Sequence, residues 1–110
     1  MYLMGWLGTS GDAGMTYDIL LRTPGEGFGR QNGAAFTDAE FDGLLAEASR
    51  AMQLARRRDL LERAGRRVSA LVPVVPLYRE RDLYGLVEDL ELSPRADRSL
   101  IGGDTLRWRR

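Results

Sequence analysis

FTDAEFDGLLAEASRAMQLARRRDLLERAGRRVSALVPVVPLY, residues Phe36–Tyr78, is the stretch on which the fold turns. Thr37 followed three residues later by Glu40 has the form of a capping box, with Phe36 and Phe41 spaced for a hydrophobic staple. This reading puts about 1 kcal/mol on the Thr37 hydroxyl. Phe41, Leu44, Leu45, Ala48 and Met52 then recur on one helical face, which predicts a helix from about Asp38 to Met52. A second amphipathic helix follows from about Ala55 to Leu71, with Leu60, Leu61, Ala64, Val68, Leu71 and Val72 inward. Asp59–Arg63 and Glu62–Arg66 are spaced as i,i+4 pairs on its wet side. Pro73 ends it, and Val74–Tyr78 reads as a strand in which two prolines require at least one open edge. The expected class is α/β: a helical hairpin packed on a small mixed sheet.

Working outward, Tyr2–Leu7 reads as a short, mostly buried strand with nothing before it, a start in the middle of a core strand that suggests a fragment. Gly8–Gly14 is a loop with three glycines in seven residues. Met15–Arg22 fits two helical turns with Tyr17, Leu20 and Leu21 on one side, and Thr23–Gly33 is irregular. Beyond Tyr78, Leu83–Val87 and Leu90–Leu92 are expected strands, with a last one at Thr105–Trp108. The chain reads as one partial domain over 1–110, with the hairpin segment in 1–72 and returning strands in 73–110.

Composition narrows the chemistry. The 110 residues contain no Cys and no His, which removes thiol catalysis, imidazole relays, disulfides and the usual zinc sites, and no cofactor is implied. All 16 basic residues are Arg and 16 acids balance them, so no overall attraction to nucleic acid or anionic lipid is expected. The charge is uneven: residues 1–54 carry 3 Arg and 7 acids, residues 55–110 carry 13 Arg and 9 acids. Arg56, Arg57 and Arg58 fall at the start of the second long helix, where the dipole disfavours cations, so their placement needs another reason, such as an acidic partner elsewhere. No apolar run reaches the roughly 20 residues of a membrane span, and Met1–Trp6 is not a signal peptide.

The local signals for catalysis are weak. Gly8–Gly14 lacks the spacing of a phosphate-binding loop. Asp38 and Asp42 share a helical face, but acids in a first turn are placed there by the dipole. A small hydrolase built on Asp12 and Asp38 lacks an accompanying base, nucleophile or metal set. The arginine runs at 56–58 and 107–110 read as solvated or ion-paired. Trp6, ending a strand beside a glycine-rich loop, fits core filling and the wall of a binding site equally.

In order, Gly5-Trp6, a loop with Asp12, Asn32-Gly33, the Glu40–Ala48 helix, Arg57-x-x-Leu60, Pro73-x-x-Pro76-Leu77-Tyr78, Leu86-Val87 and Ser93-Pro94 resemble a known pattern. It is the C-terminal part of family-5 extracellular solute-binding proteins, the oligopeptide, dipeptide and nickel-type receptors of ABC importers. The resemblance implies part of one lobe of a two-lobed, class II periplasmic-binding-protein-like fold that captures a peptide-like small solute for an importer permease. It also implies a periplasmic or extracellular location, no catalysis, no nucleic acid and no direct membrane insertion. Trp6 would line the cleft, with Thr9 and Asp12 making polar contacts and loop 23–33 at the cleft edge. Peptide receptors carry an Asp at the position of Thr9 to meet a peptide amino terminus, and Thr cannot supply that charge. Unpaired strand edges in such a piece would favour self-association. A stand-alone helical-hairpin module, docking on an acidic partner through its Arg-rich half, is the alternative reading.

Overall fold

The computed structural model describes residues 3–95, 98 and 105–109. Among these, three helices and one two-stranded antiparallel sheet make a small α/β protein: α1 Gly14–Leu20, α2 Ala39–Arg50, α3 Leu54–Leu71, β1 Leu90–Leu92 and β2 Leu106–Trp108. The chain divides into two compact units, Met1–Pro76 and Leu77–Arg110.

In the first unit, α2 and α3 form an antiparallel hairpin. Its open end is tied by Arg67 to Asp38 and Glu40, at 2.7 and 3.1 Å, and its closed end by Arg56 to Glu47 at 3.8 Å. The faces read from the sequence meet as expected: Phe41, Leu44, Leu45 and Ala48 of α2 are buried against Leu60, Leu61 and Ala64 of α3. Burying each of the Phe and Leu side chains contributes about 1.5–3 kcal/mol. The third wall is α1, whose Tyr17 meets Phe41 edge-on with ring centroids 5.6 Å apart, while Leu21 closes the core. The core of this unit is therefore filled by a third helix and the loop behind it.

The start of α2 is one residue later than the sequence pattern proposes. Asp38, not Thr37, is the N-cap, accepting the Phe41 amide at 2.8 Å, and Thr37 is exposed. Aspartate has the reach of Thr for this bond and can also pair with Arg67, so one side chain closes two gaps. The Phe36–Phe41 contact survives the shift, with centroids 5.8 Å apart. α2 ends at Arg50, short of Met52, which is 98% exposed; α3 ends at Leu71 as expected, but Leu71 and Val72, read as inward, are open. α3 stops because Pro73 disfavours the helical conformation at Val72, which turns instead to the left-handed region at φ 48°.

Loop 21–36 is irregular yet fastened. The Gly29 amide donates to Asp18 O at 2.7 Å and the Gln31 amide to Ile19 O at 3.0 Å. Asn32, buried at 9% exposure, donates from Nδ2 to the carbonyls of Arg22 (3.0 Å) and Phe36 (2.8 Å) and accepts the Phe36 amide at 3.1 Å. Gly29 sits at φ 61°, where an added Cβ would lie 2.8 Å from Pro24 Cα and overlap the Arg22 carbonyl. No other residue fits there.

In the second unit, β1 pairs β2 with Leu90 opposite Trp108, Glu91 opposite Arg107 and Leu92 opposite Leu106. Arg109 Nε reaches Glu91 at 2.9 Å, and Arg98 joins Glu80 and Asp82 at 3.3 and 2.9 Å. The segments Leu3–Leu7, Val74–Tyr78 and Leu83–Val87, expected as strands, are largely exposed and belong to no sheet; Tyr2 lies outside the described residues. Among the described residues the sheet is accordingly a two-stranded antiparallel ribbon and not the small mixed sheet expected. Apolar alternation creates a strand only where a second backbone offers a ladder, and no ladder forms along these segments.

Candidate functional site

The segment Trp6–Thr16 is built from both sides. Trp6 Nε1 donates to Thr16 Oγ1 at 2.9 Å, which places the indole on the exposed side of α1 with its one polar atom already satisfied. Trp6 is 36% exposed and is not core. Gly8 runs close under the same hydroxyl, its added Cβ falling 3.2 Å from Thr16 Oγ1. At the other end Asp12 uses both carboxylate oxygens: Oδ1 accepts the Gly14 amide at 2.8 Å, and Oδ2 accepts Arg57 Nε at 2.7 Å. Arg57 continues to Ala48 O, in the last turn of α2, through Nη1 at 2.8 Å. Asp12 is thus an acidic partner for one of the three arginines at the start of α3, and Glu47 for another.

Electrostatics follow from these bonds. The Arg57 hydrogen bond holds the Asp12 carboxyl below its usual range, partial burial opposes it, and the Gly14 amide adds to the lowering. The same contact raises Arg57. At neutral pH the pair is a fixed carboxylate and guanidinium with no net charge. Gly14 makes it fit, since an added Cβ would lie 2.6 Å from Arg57 Nη2. Asp38 is lowered in the same manner, first by Arg67 and then by the Phe41 amide.

The three residues read as ligand contacts, Trp6, Thr9 and Asp12, are all exposed, and Asp12 is the one tied to α3 through Arg57. The sequence assigns no role to Arg57 beyond misplacement, nor any to Thr16, whose hydroxyl orients the indole. A signal for Arg57 does exist: three consecutive cations close to the start of a helix whose first turn holds no acid. Nothing in the spacing points to Thr16. Asp42, weighed with Asp38 as a carboxylate pair, accepts the Thr23 amide at 3.1 Å and is structural. Loop residues Gly29–Gly33 line a shallow hollow of about 360 Å³ together with Met4, two residues before Trp6. Among the described residues no cluster of His, Cys, Asp or Glu is arranged to hold a metal ion, and no helix is long and apolar enough to cross a membrane. Comparison of the chain with protein-family models, curated proteins and solved structures finds no match.

Proposed function

We propose that the chain is the C-terminal part of a solute-binding protein of an ABC importer, contributing one face of the cleft in which a small, peptide-like solute is held. The observation that carries this reading is Trp6, an aromatic ring held at the surface by the hydrogen bond its own N–H donates, on a loop pinned at both ends. A ring so placed offers apolar contact without an unsatisfied donor, as ligand-facing tryptophans do. The ordered series of residues from Gly5-Trp6 to Ser93-Pro94 supplies the family. The exposed apolar segments at Val74–Tyr78 and Leu83–Val87 fit strands that pair within a larger lobe. In this proposal the parent protein is periplasmic or extracellular and delivers its solute to the permease. Catalysis is no part of its work.

The alternative, an acid-binding hairpin module, draws less support. Arg56, Arg57, Arg66 and Arg67 of α3 are already paired with Glu47, Asp12, Glu62 and Asp38. The direct test is the reading frame upstream of Met1. An in-frame N-terminal lobe supports the proposal, and an unrelated or absent frame overturns it. In that parent, Trp6→Ala is expected to weaken solute binding at least about tenfold with an unchanged melting temperature. The 110-residue chain by itself is expected to show no calorimetric binding to a peptide and sugar panel.

A further inference from the structure

We propose that Arg57 is a positioning and specificity-determining residue for the loop behind Trp6. By pairing with the exposed Asp12 carboxylate it fixes the arch Leu7–Gly11 and neutralises the loop's one negative charge. The group of a solute that this loop receives is then uncharged and polar, an amide or a hydroxyl, and not an ammonium. The proposal rests on the solute-binding reading for its purpose, though not for its geometry.

The geometry is that of an arch with two footings on α1. Trp6 is fastened to Thr16, and Asp12 to Gly14, residues two apart on one short helix. Between them Gly11 takes φ 78°, turning the chain back at the top of the arch. One footing is held by a neutral hydrogen bond and the other by a guanidinium 45 residues away, itself braced on the Ala48 carbonyl. Without Arg57 the Asp12 carboxylate would keep only the Gly14 amide. It would then stand as a bare charge within a Debye length, about 8–10 Å, of the indole's footing. An ammonium would be drawn to such a charge, as peptide amines are to carboxylates. With Arg57 present both oxygens of Asp12 are engaged, and the groups at the crown are Thr9, Ser10 and the backbone.

Two readouts on the 110-residue chain test this, with Trp108→Phe as background so that Trp6 alone fluoresces. The first is hydrogen exchange of the amides of residues 8–13. Arg57→Gln should speed it at least about tenfold while buried α2 and α3 amides keep their protection. The second is quenching of Trp6 by iodide against caesium, which reads local charge. Arg57→Gln should favour caesium, Asp12→Asn should favour iodide, and the double variant should return to the starting ratio while its loop stays fast-exchanging. Restored charge with unrestored order would separate the electrostatic role from simple packing. Unchanged exchange in Arg57→Gln, or one quenching ratio across all variants, would overturn the proposal. Should Arg57→Gln fail to fold, Asp12→Asn carries the test alone, since it keeps an acceptor for Gly14 and releases only the guanidinium. Unchanged exchange and quenching in that variant would overturn the proposal equally. No solute enters either measurement, so Arg57 can fail while the solute-binding reading stands, and the reverse.

Discussion

The region from Leu21 to Val68 and the run from Val74 to Val87 are both rich in apolar residues and have opposite fates. In the first, Phe41 and Ala64 are fully buried, Leu45 and Leu60 nearly so, and the polar Asn32 is enclosed in its own hydrogen bonds. In the second, Val75, Leu77, Tyr78 and Leu83 are 67–94% exposed. The difference is not hydrophobicity. Helical spacing lets one segment satisfy its backbone internally before its apolar face finds a partner, whereas a strand has no satisfied state until another strand arrives. Apolar helices close on themselves; apolar strands wait.

The sharpest way to break that contrast is to truncate large apolar side chains on each side of it. Phe41→Ala should cost about 3–5 kcal/mol in denaturant unfolding, enough to unfold a unit of this size. Leu83→Ala in the same assay should change stability by no more than about 0.5 kcal/mol. Similar losses at the two positions would mean that burial does not separate the two regions after all. Next in size, Asn32→Ala removes a donor from the carbonyls of Leu21, Arg22 and Phe36 and an acceptor from the Phe36 amide. Leaving these groups unpaired should cost about 2–3 kcal/mol, read from the urea midpoint.

Acid offers a subtler probe of the same region. Asp12 and Asp38 are both held below 3.8 in the folded state, so they bind protons less readily than in the unfolded chain. Their contribution is fully present above the unfolded value and is lost as pH falls through the folded ones. Stability should therefore be flat from neutrality to about pH 5 and drop below about pH 4. In Asp12→Asn the drop should be shallower, and an unaltered acid limb would remove Asp12 from the explanation. Smallest of all, Thr37→Ala should move the melting curve by less than about 0.5 kcal/mol, because the cap is Asp38. On the open side, Val75→Lys with Leu83→Lys should leave helicity untouched and lower any concentration-dependent association seen by sedimentation.

Gly65 sharpens the contrast within the core. A Cβ there would lie 2.9 Å from the Tyr17 hydroxyl, so the glycine lets the α1 ring lie down on α3. Alanine would gain about 1 kcal/mol of helix propensity. Gly65→Ala should show that gain only when Tyr17→Phe removes the obstructing oxygen, a coupling that thermal melts of the four variants would reveal.

By itself the sequence determined the hairpin, because the 3,4,7 spacing of Phe41, Leu44, Leu45 and Ala48 is a local property that survives any context. It also placed the short helix with Tyr17, Leu20 and Leu21 on one side, the strand at Leu90–Leu92, and the exclusion of thiol and imidazole chemistry. Only the tertiary structure decided which residue caps α2, since Thr37 and Asp38 are locally equivalent and Arg67, 29 residues from Asp38, breaks the tie. It decided as well that Asp12 pairs with Arg57, for a carboxylate on a glycine-rich loop carries no mark of where its guanidinium will come from. The strands at Val74–Tyr78 and Leu83–Val87 depended on a partner backbone, and alternation along one chain cannot say whether that partner exists. Trp6 lies between these cases: its type and neighbours suggested either core or cleft. One hydrogen bond from its indole to Thr16, through no pattern visible in the sequence, put it at the surface.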